Sequence, residues 1–203
     1  MTDTFPSPTR RGVIARAILA AGGAGALITA SGHAASAQTP GAAVALTGHE
    51  HDWDWLVGRW SVQHRRLKGR LIGSTEWEEF TGTSVLWLTL GGLGTVDDNV
   101  LELPAGTYRA VTLRAYDAKS DQWSIWWLDA RDPTRLEPPV RGGFKDGGGI
   151  FMGDDVLRDK PIKVRFQWLK IATNAPRWEQ AFSPDGGVTW ETNWTMDLTR
   201  THA

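Results

Sequence analysis

Arg177-Trp178-Glu179-Gln180-Ala181-Phe182-Ser183 and Thr189-Trp190-Glu191-Thr192-Asn193-Trp194-Thr195-Met196-Asp197-Leu198-Thr199 carry one alternating pattern, joined by Pro184-Asp185-Gly186-Gly187. Side chains two apart share a face of a strand, so Trp178, Gln180 and Phe182 lie together, opposite Arg177, Glu179 and Ala181. By the same rule Trp190, Thr192, Trp194, Met196 and Leu198 oppose Glu191, Asn193, Thr195 and Asp197. The connector supplies residues that accept the unusual backbone angles of a tight turn. The segment reads as an antiparallel hairpin. Its simplest assignment puts the tryptophan face in a core and the Glu/Asn face in water. The reverse assignment brings Glu179, Glu191 and Asn193 into a lumen. It leaves tryptophans outside, where a second subunit must cover them.

The same grammar extends outward through the chain. Period-2 runs fall at 60–67, 74–89, 99–103, 108–117, 123–129, 149–152 and 162–171, ahead of the two strands of the hairpin. Turn formers separate them, among them Pro104-Ala105-Gly106, Asp117-Ala118-Lys119-Ser120 and Asp146-Gly147-Gly148. Helical periodicity is confined to a short turn at 49–56. An all-β domain follows, an antiparallel meander closed into a barrel of about 8–10 strands, since closure removes exposed edges. A two-sheet sandwich is the alternative. All 12 tryptophans lie between Trp53 and Trp194, so they fill a core or wall a pocket.

Trp60 inside the barrel brings Val62 and His64 inside with it. His64 is then a mid-strand base beside Arg65 and Arg66, expected to titrate near neutrality. In Trp123-Ser124-Ile125-Trp126-Trp127, Trp123 and Trp127 share one face and Trp126 takes the other, so one ring is left for a cavity wall, a subunit contact or chance packing to explain. Tyr108, Thr112, Arg114 and Tyr116 share a side that suits either water or a polar lumen orienting a ligand anion. Glu76 and Glu78 form a carboxylate pair on one strand face. His49, Glu50, His51, Asp52 and Asp54 crowd the helical turn, but two histidines beside a flexible segment do not make a convergent metal site, and no metal or cofactor is expected.

Asp52-Trp53-Asp54-Trp55-Leu56-Val57-Gly58-Arg59-Trp60, a helical turn leading into Gly-x-Trp at the first strand, resembles the opening of the lipocalin-like (calycin) barrels, and in particular of an uncharacterised exported bacterial family within that architecture. The resemblance implies a barrel floor made by Trp60, with an arginine near the end of the last strand, Arg200, packed across it. It also implies a cup that takes a small apolar molecule. Ser183-Pro184-Asp185-Gly186-Gly187-Val188-Thr189-Trp190 resembles the Asp-box of sialidase-type propellers, where the motif is a structural hairpin. One copy implies no glycosidase activity; it specifies the turn.

Thr9-Arg10-Arg11-Gly12-Val13-Ile14, a modest apolar stretch over 17–29 and Ala35-Ser36-Ala37 read as a twin-arginine (Tat) signal, residues 1–37, followed by a flexible tether at 38–48 and a single barrel domain at 49–203. The expected compartment is the periplasm. The apolar stretch is too short to span a membrane. A chain with no cysteine must hold together by its core alone. The net charge of −1 argues against nucleic acid as a partner.

Two function classes remain open. One is a binding barrel holding a small apolar or aromatic molecule, with Trp60, His64, Tyr116, Trp126 and Trp127 as ligand contacts. The other is a cofactor-independent lyase, isomerase or cyclase in the same cup, with His64, Glu179, Arg114 and Asn193 as catalytic candidates. A haem barrel with His64 as axial ligand is a third. A homo-oligomer through exposed tryptophans is a further expectation.

Overall fold

A computed structural model describes residues 47–201. The expected export leader, and all of the tether except Thr47 and Gly48, lie outside the described residues. Strands follow one another as β1 (Gly58–Leu67), β2 (Trp77–Thr89), β3 (Gly94–Leu103), β4 (Gly106–Asp117), β5 (Gln122–Asp129), β6 (Val140–Lys145), β7 (Gly148–Leu157), β8 (Lys160–Leu169), β9 (Arg177–Ser183) and β10 (Glu191–Arg200). Each pairs antiparallel with the next and β10 pairs back onto β1, so the ten strands close a barrel. The sandwich alternative is excluded.

Three local departures from simple alternation have physical causes. β6 is not among the period-2 runs of the sequence, since Gly142-Gly143 carries no side chains to alternate. In the fold a Cβ at Gly142 would collide with the Ile150 carbonyl of β7, so glycine here permits a close approach within a strand. β3 begins at Gly94, earlier than the apolar pattern predicts, because it turns Asp97 inward. In β10 the register shifts between Thr192 and Trp194. Glu191 therefore faces Phe182 and Trp194 faces Gln180, leaving Asn193 as the extra residue of a bulge. The bulge overturns the assignment of Asn193 to the watery face: it is fully buried and accepts a 2.8 Å hydrogen bond from Gln180 Nε2.

The lumen is mostly apolar and packed. Trp60, Val62, Phe80, Leu86, Trp123, Phe151, Trp168, Trp178 and Leu198 are all buried. The outer wall over β8, β9, β10 and β1 is charged and polar, with Arg177 bridging Glu179 and Asp197. Over these four strands this is the reverse of a membrane-spanning barrel's wall, which carries an apolar belt outside and a polar interior. Among the described residues no helix is long and apolar enough to cross a membrane.

One end of the barrel is sealed by the segment before β1. Its 3₁₀ turn, Asp54–Leu56, places Trp53 under the strands at 0% exposure. Trp53 meets Trp123, Phe144 and Trp168 edge to face and Phe151 in a stack. Trp60 donates 2.8 Å to the Leu56 carbonyl, and the Arg200 guanidinium lies 4.1 Å from its ring centroid. Arg200 also donates to the carbonyls of Val57 (2.7 Å) and Trp55 (2.6 Å), which ties the last strand to the entry segment. Gly58 has φ near +124°, and a Cβ there would sit 2.9 Å from the Arg200 guanidinium, so only glycine suits the position. The floor expected from Gly-x-Trp and a terminal arginine is present.

Candidate functional site

The lumen divides into a closed half around Trp53 and an open half at the opposite end. In the closed half, Arg114 is the charged residue of interest. It donates to Asp97 Oδ1 at 2.9 Å and to Thr95 Oγ1 at 3.2 Å, and stacks 4.5 Å from the Trp53 centroid. The two side chains of the Arg114–Asp97 pair are 4% and 8% exposed. This buried guanidinium is engaged through its terminal nitrogens by Asp97 and Thr95, while its Nε–H has no hydrogen-bond partner. Arg114 is in the lumen, as the polar-lumen option required, but it holds the floor together.

His64 is buried mid-barrel. Its ring stacks on Phe80 at 4.6 Å, and Nδ1 accepts from the Trp194 indole at 3.2 Å. Burial, with Arg66 nearby, pushes its pKa down to about 3. The expectation of titration near neutrality therefore fails, because desolvation penalises the charged ring. At ordinary pH His64 is a neutral acceptor, and a weak base in this desolvated setting. The residues do not fit haem either. One ring nitrogen is engaged by Trp194, and Nε2 lies 2.7 Å from where a Cβ at Gly82 would stand, leaving no room for an iron-bound macrocycle.

The entry-turn cluster is consumed by its own bonds. His49 Nδ1 and the Trp123 indole both bond Asp52 Oδ2 at 2.8 Å, and His51 bonds Asp54 at 2.7 Å. Glu50 accepts from the Thr47 and Gly48 amides, which lower its pKa. Among the described residues no group of three or more His, Cys, Asp or Glu is placed to hold a metal.

The remaining predicted residues separate. Tyr116 stacks on His49 at 4.4 Å near the closed end and donates 2.6 Å to Asp121, a bond that pushes its pKa up to about 12. Trp126 points outward, in register with Leu113. Glu179 also lies on the outer wall, 2.7 Å from Arg177 Nε. Neither reaches the lumen. Trp127 does: it pairs in register with inward Thr112 and meets Trp194 edge to face at 6.4 Å.

Around Trp127 and Trp194 the open half gathers groups that were not singled out. Arg66, two residues beyond His64 on the same face, lies 5.5 Å from the Phe80 centroid and 5.7 Å from that of Trp194, and donates 2.8 Å to Glu78. Arg131, on the β5–β6 loop, lies 3.8 Å from the Tyr108 ring and bonds Asp129. Burial raises the Tyr108 pKa, so its phenol remains a donor. The period-2 rule that placed His64 inside also places Arg66 inside. Arg131 sits in an irregular loop, and no spacing announces it.

The loop between β1 and β2 folds over the rim. Leu71 N donates 2.7 Å to Glu191, Arg158 donates 2.6 Å to the Arg70 carbonyl, and Leu71 packs against the core. Beneath this strap is a recess of about 240 Å³, lined by Leu71, Leu157, Arg158, Lys160, Ile162 and Pro184 among others. The mouth is thus half covered on one side and flanked by aromatic rings and arginines on the other.

No family model matches the chain, and no curated protein matches it. Among solved structures, the chain is similar to the S-type phycobiliprotein lyase CPES from Guillardia theta, with a TM-score of 0.48 and 9% identity, over 76% of this chain and 93% of that chain.

Proposed function

We propose that the protein binds a small aromatic or apolar molecule bearing an anionic group in the open half of its barrel. One observation carries this reading: Tyr108, Trp127 and Trp194 are half-buried rings, and Arg66 and Arg131 lie against this aromatic wall at the mouth. Flat apolar walls supply burial, and a guanidinium has donors beyond those engaged by one carboxylate. The recess under the strap is smaller than a usual ligand pocket, so entry displaces Leu71.

The probe that tests this is 1-anilinonaphthalene-8-sulfonate, an aromatic anion. Titration is expected to give saturable fluorescence, weakened about tenfold or more by Arg66→Ala and by Trp127→Ala. Trp126→Ala, on the outer wall, is expected to leave it unchanged. Loss of saturation in the wild type, or indifference to both lumen substitutions, rejects the site.

The proposed setting is the periplasm after twin-arginine export. Arg10-Arg11, Ala35-Ser36-Ala37 and a barrel that closes without any cysteine support it. Fractionation of the native host, with Arg10→Lys/Arg11→Lys as the blocked control, tests it; retention of the wild type in the cytoplasm refutes it.

A further inference from the structure

The outer wall is not uniform. Register places Trp87, Val96, Leu113 and Trp126 in one row across β2, β3, β4 and β5, all facing outward. The next row is Val85, Asp98, Val111 and Leu128. Trp87 is 46% exposed and Leu113 36%. The only charge in these two rows, Asp98, is paired with Arg109 beside it. On the opposite side, equivalent positions are Gln167, Glu179, Thr195 and Arg65 across β8, β9, β10 and β1. One wall is built for water and the other is not.

We infer that the β2–β5 wall is the interface of a symmetric dimer of this chain. Three features of the wall select a second copy. First, strands about 4.8 Å apart, with outward residues about 6.8 Å apart along each, give these rows an apolar patch of roughly 300 Å². That is the scale of the apolar centre of a standard interface, which covers roughly 800 Å² on each partner once its polar rim is included. Second, because Asp98 and Arg109 neutralise each other, two identical walls meet without opposing like charges. Third, the wall carries both a ridge and a hollow. Trp87 and Trp126 stand at the two ends of their row, and a recess of about 200 Å³ opens between Asp98, Arg109, Val111, Leu128 and Pro133. A two-fold axis makes every contact twice, so a face bearing both projection and recess is able to complement itself. The closed barrel has no free strand edge, so association here is face to face, through side chains.

Sedimentation velocity of the full chain across a micromolar range tests the dimer. The wild type is expected to sediment as a dimer. Leu113→Glu and Trp87→Lys are each expected to weaken it about thirtyfold or more. Gln167→Glu, on the polar wall, leaves it intact. Near-ultraviolet circular dichroism verifies folding. If Leu113→Glu fails to fold, the more exposed Trp87→Lys variant gives the same reading. A wild type that is monomeric throughout overturns the inference, as does a dimer that both variants leave unchanged. A monomer that floats with neutral phosphatidylcholine vesicles through this wall also overturns it, and assigns the patch to lipid.

Discussion

At the floor of the barrel Arg200 lies over Trp60 and Arg114 over Trp53; at the mouth Arg66 lies over Trp194 and Arg131 over Tyr108. The paired groups are the same, and their surroundings differ. The floor rings are at most 1% exposed, and their arginines are tied to backbone carbonyls or to the buried Asp97. The mouth rings are half-buried, and the Arg66 and Arg131 side chains keep 21% and 51% of their surface. A cation over an aromatic face is a structural clamp when water is excluded on all sides. When one side stays wet, the same pair is a surface that a ligand can join. Floor substitutions should therefore cost stability and spare binding, and mouth substitutions should do the reverse.

The largest expected effect is at Trp60. Replacing it with alanine removes the floor and costs about 3–5 kcal/mol, read from the urea midpoint. The folded fraction should keep its affinity for the naphthalene sulfonate probe. An unchanged midpoint breaks the comparison at its base. Asp97→Ala strands the Arg114 charge in the interior and should cost about 3–5 kcal/mol. Arg114→Met combined with it should recover much of that loss; a double variant no better than Asp97→Ala shows that the pair is not the cause.

His64 sharpens the comparison through pH. Its folded pKa of about 3 lies below the value near 6.5 of an unfolded histidine, so below pH 6.5 the unfolded chain binds a proton that the native chain refuses. Stability should fall by about 1.4 kcal/mol for each pH unit between about 6 and 3 from this residue alone. Subtracting the profile of His64→Gln isolates this contribution, and parallel profiles would refute the burial argument. Next in size is Arg66→Ala, with affinity about tenfold weaker and little change in melting temperature. The reverse pattern would make Arg66 a second floor. The smallest effect belongs to the exposed turn. Asp185 accepts from the Thr189 hydroxyl and amide, from the Ser183 hydroxyl and from the Val188 amide, bonds that lower its pKa to about 2. Its contribution is present above about pH 4 and fades towards pH 2, so Asp185→Ala should cause a slight loss at neutral pH that vanishes in acid.

Much of the architecture was legible because burial enforces period two. The Trp178–Phe182 face, the Trp60–Val62–His64 face and the Asp185 turn stand where alternation puts them. Alternation failed where one residue changes the count or the contact: the bulge at Asn193 and the glycine passage at Gly142. The site was less legible because a side chain's direction does not reveal its partner. Arg114 was rightly placed on a polar inward face, but the Asp97 that occupies it comes from a neighbouring strand. His64 was placed inside, but the depth of burial that silences it depends on Phe80 and Trp194.

The β5–β6 ladder holds only three residue pairs, Trp123 with Gly142, Ser124 with Arg141 and Ile125 with Val140, while β3 and β4 share ten. Hydrogen bonding runs round the whole circumference, so the shortest ladder decides where the circle first parts. Amide exchange should accordingly begin at 140–145 and in the upper part of β5, which carries Trp127, and leave β3–β4 until last. Breathing at this seam would give a guest a side door beside the aromatic wall, distinct from the route under the strap. Uniform protection around the circumference would close it.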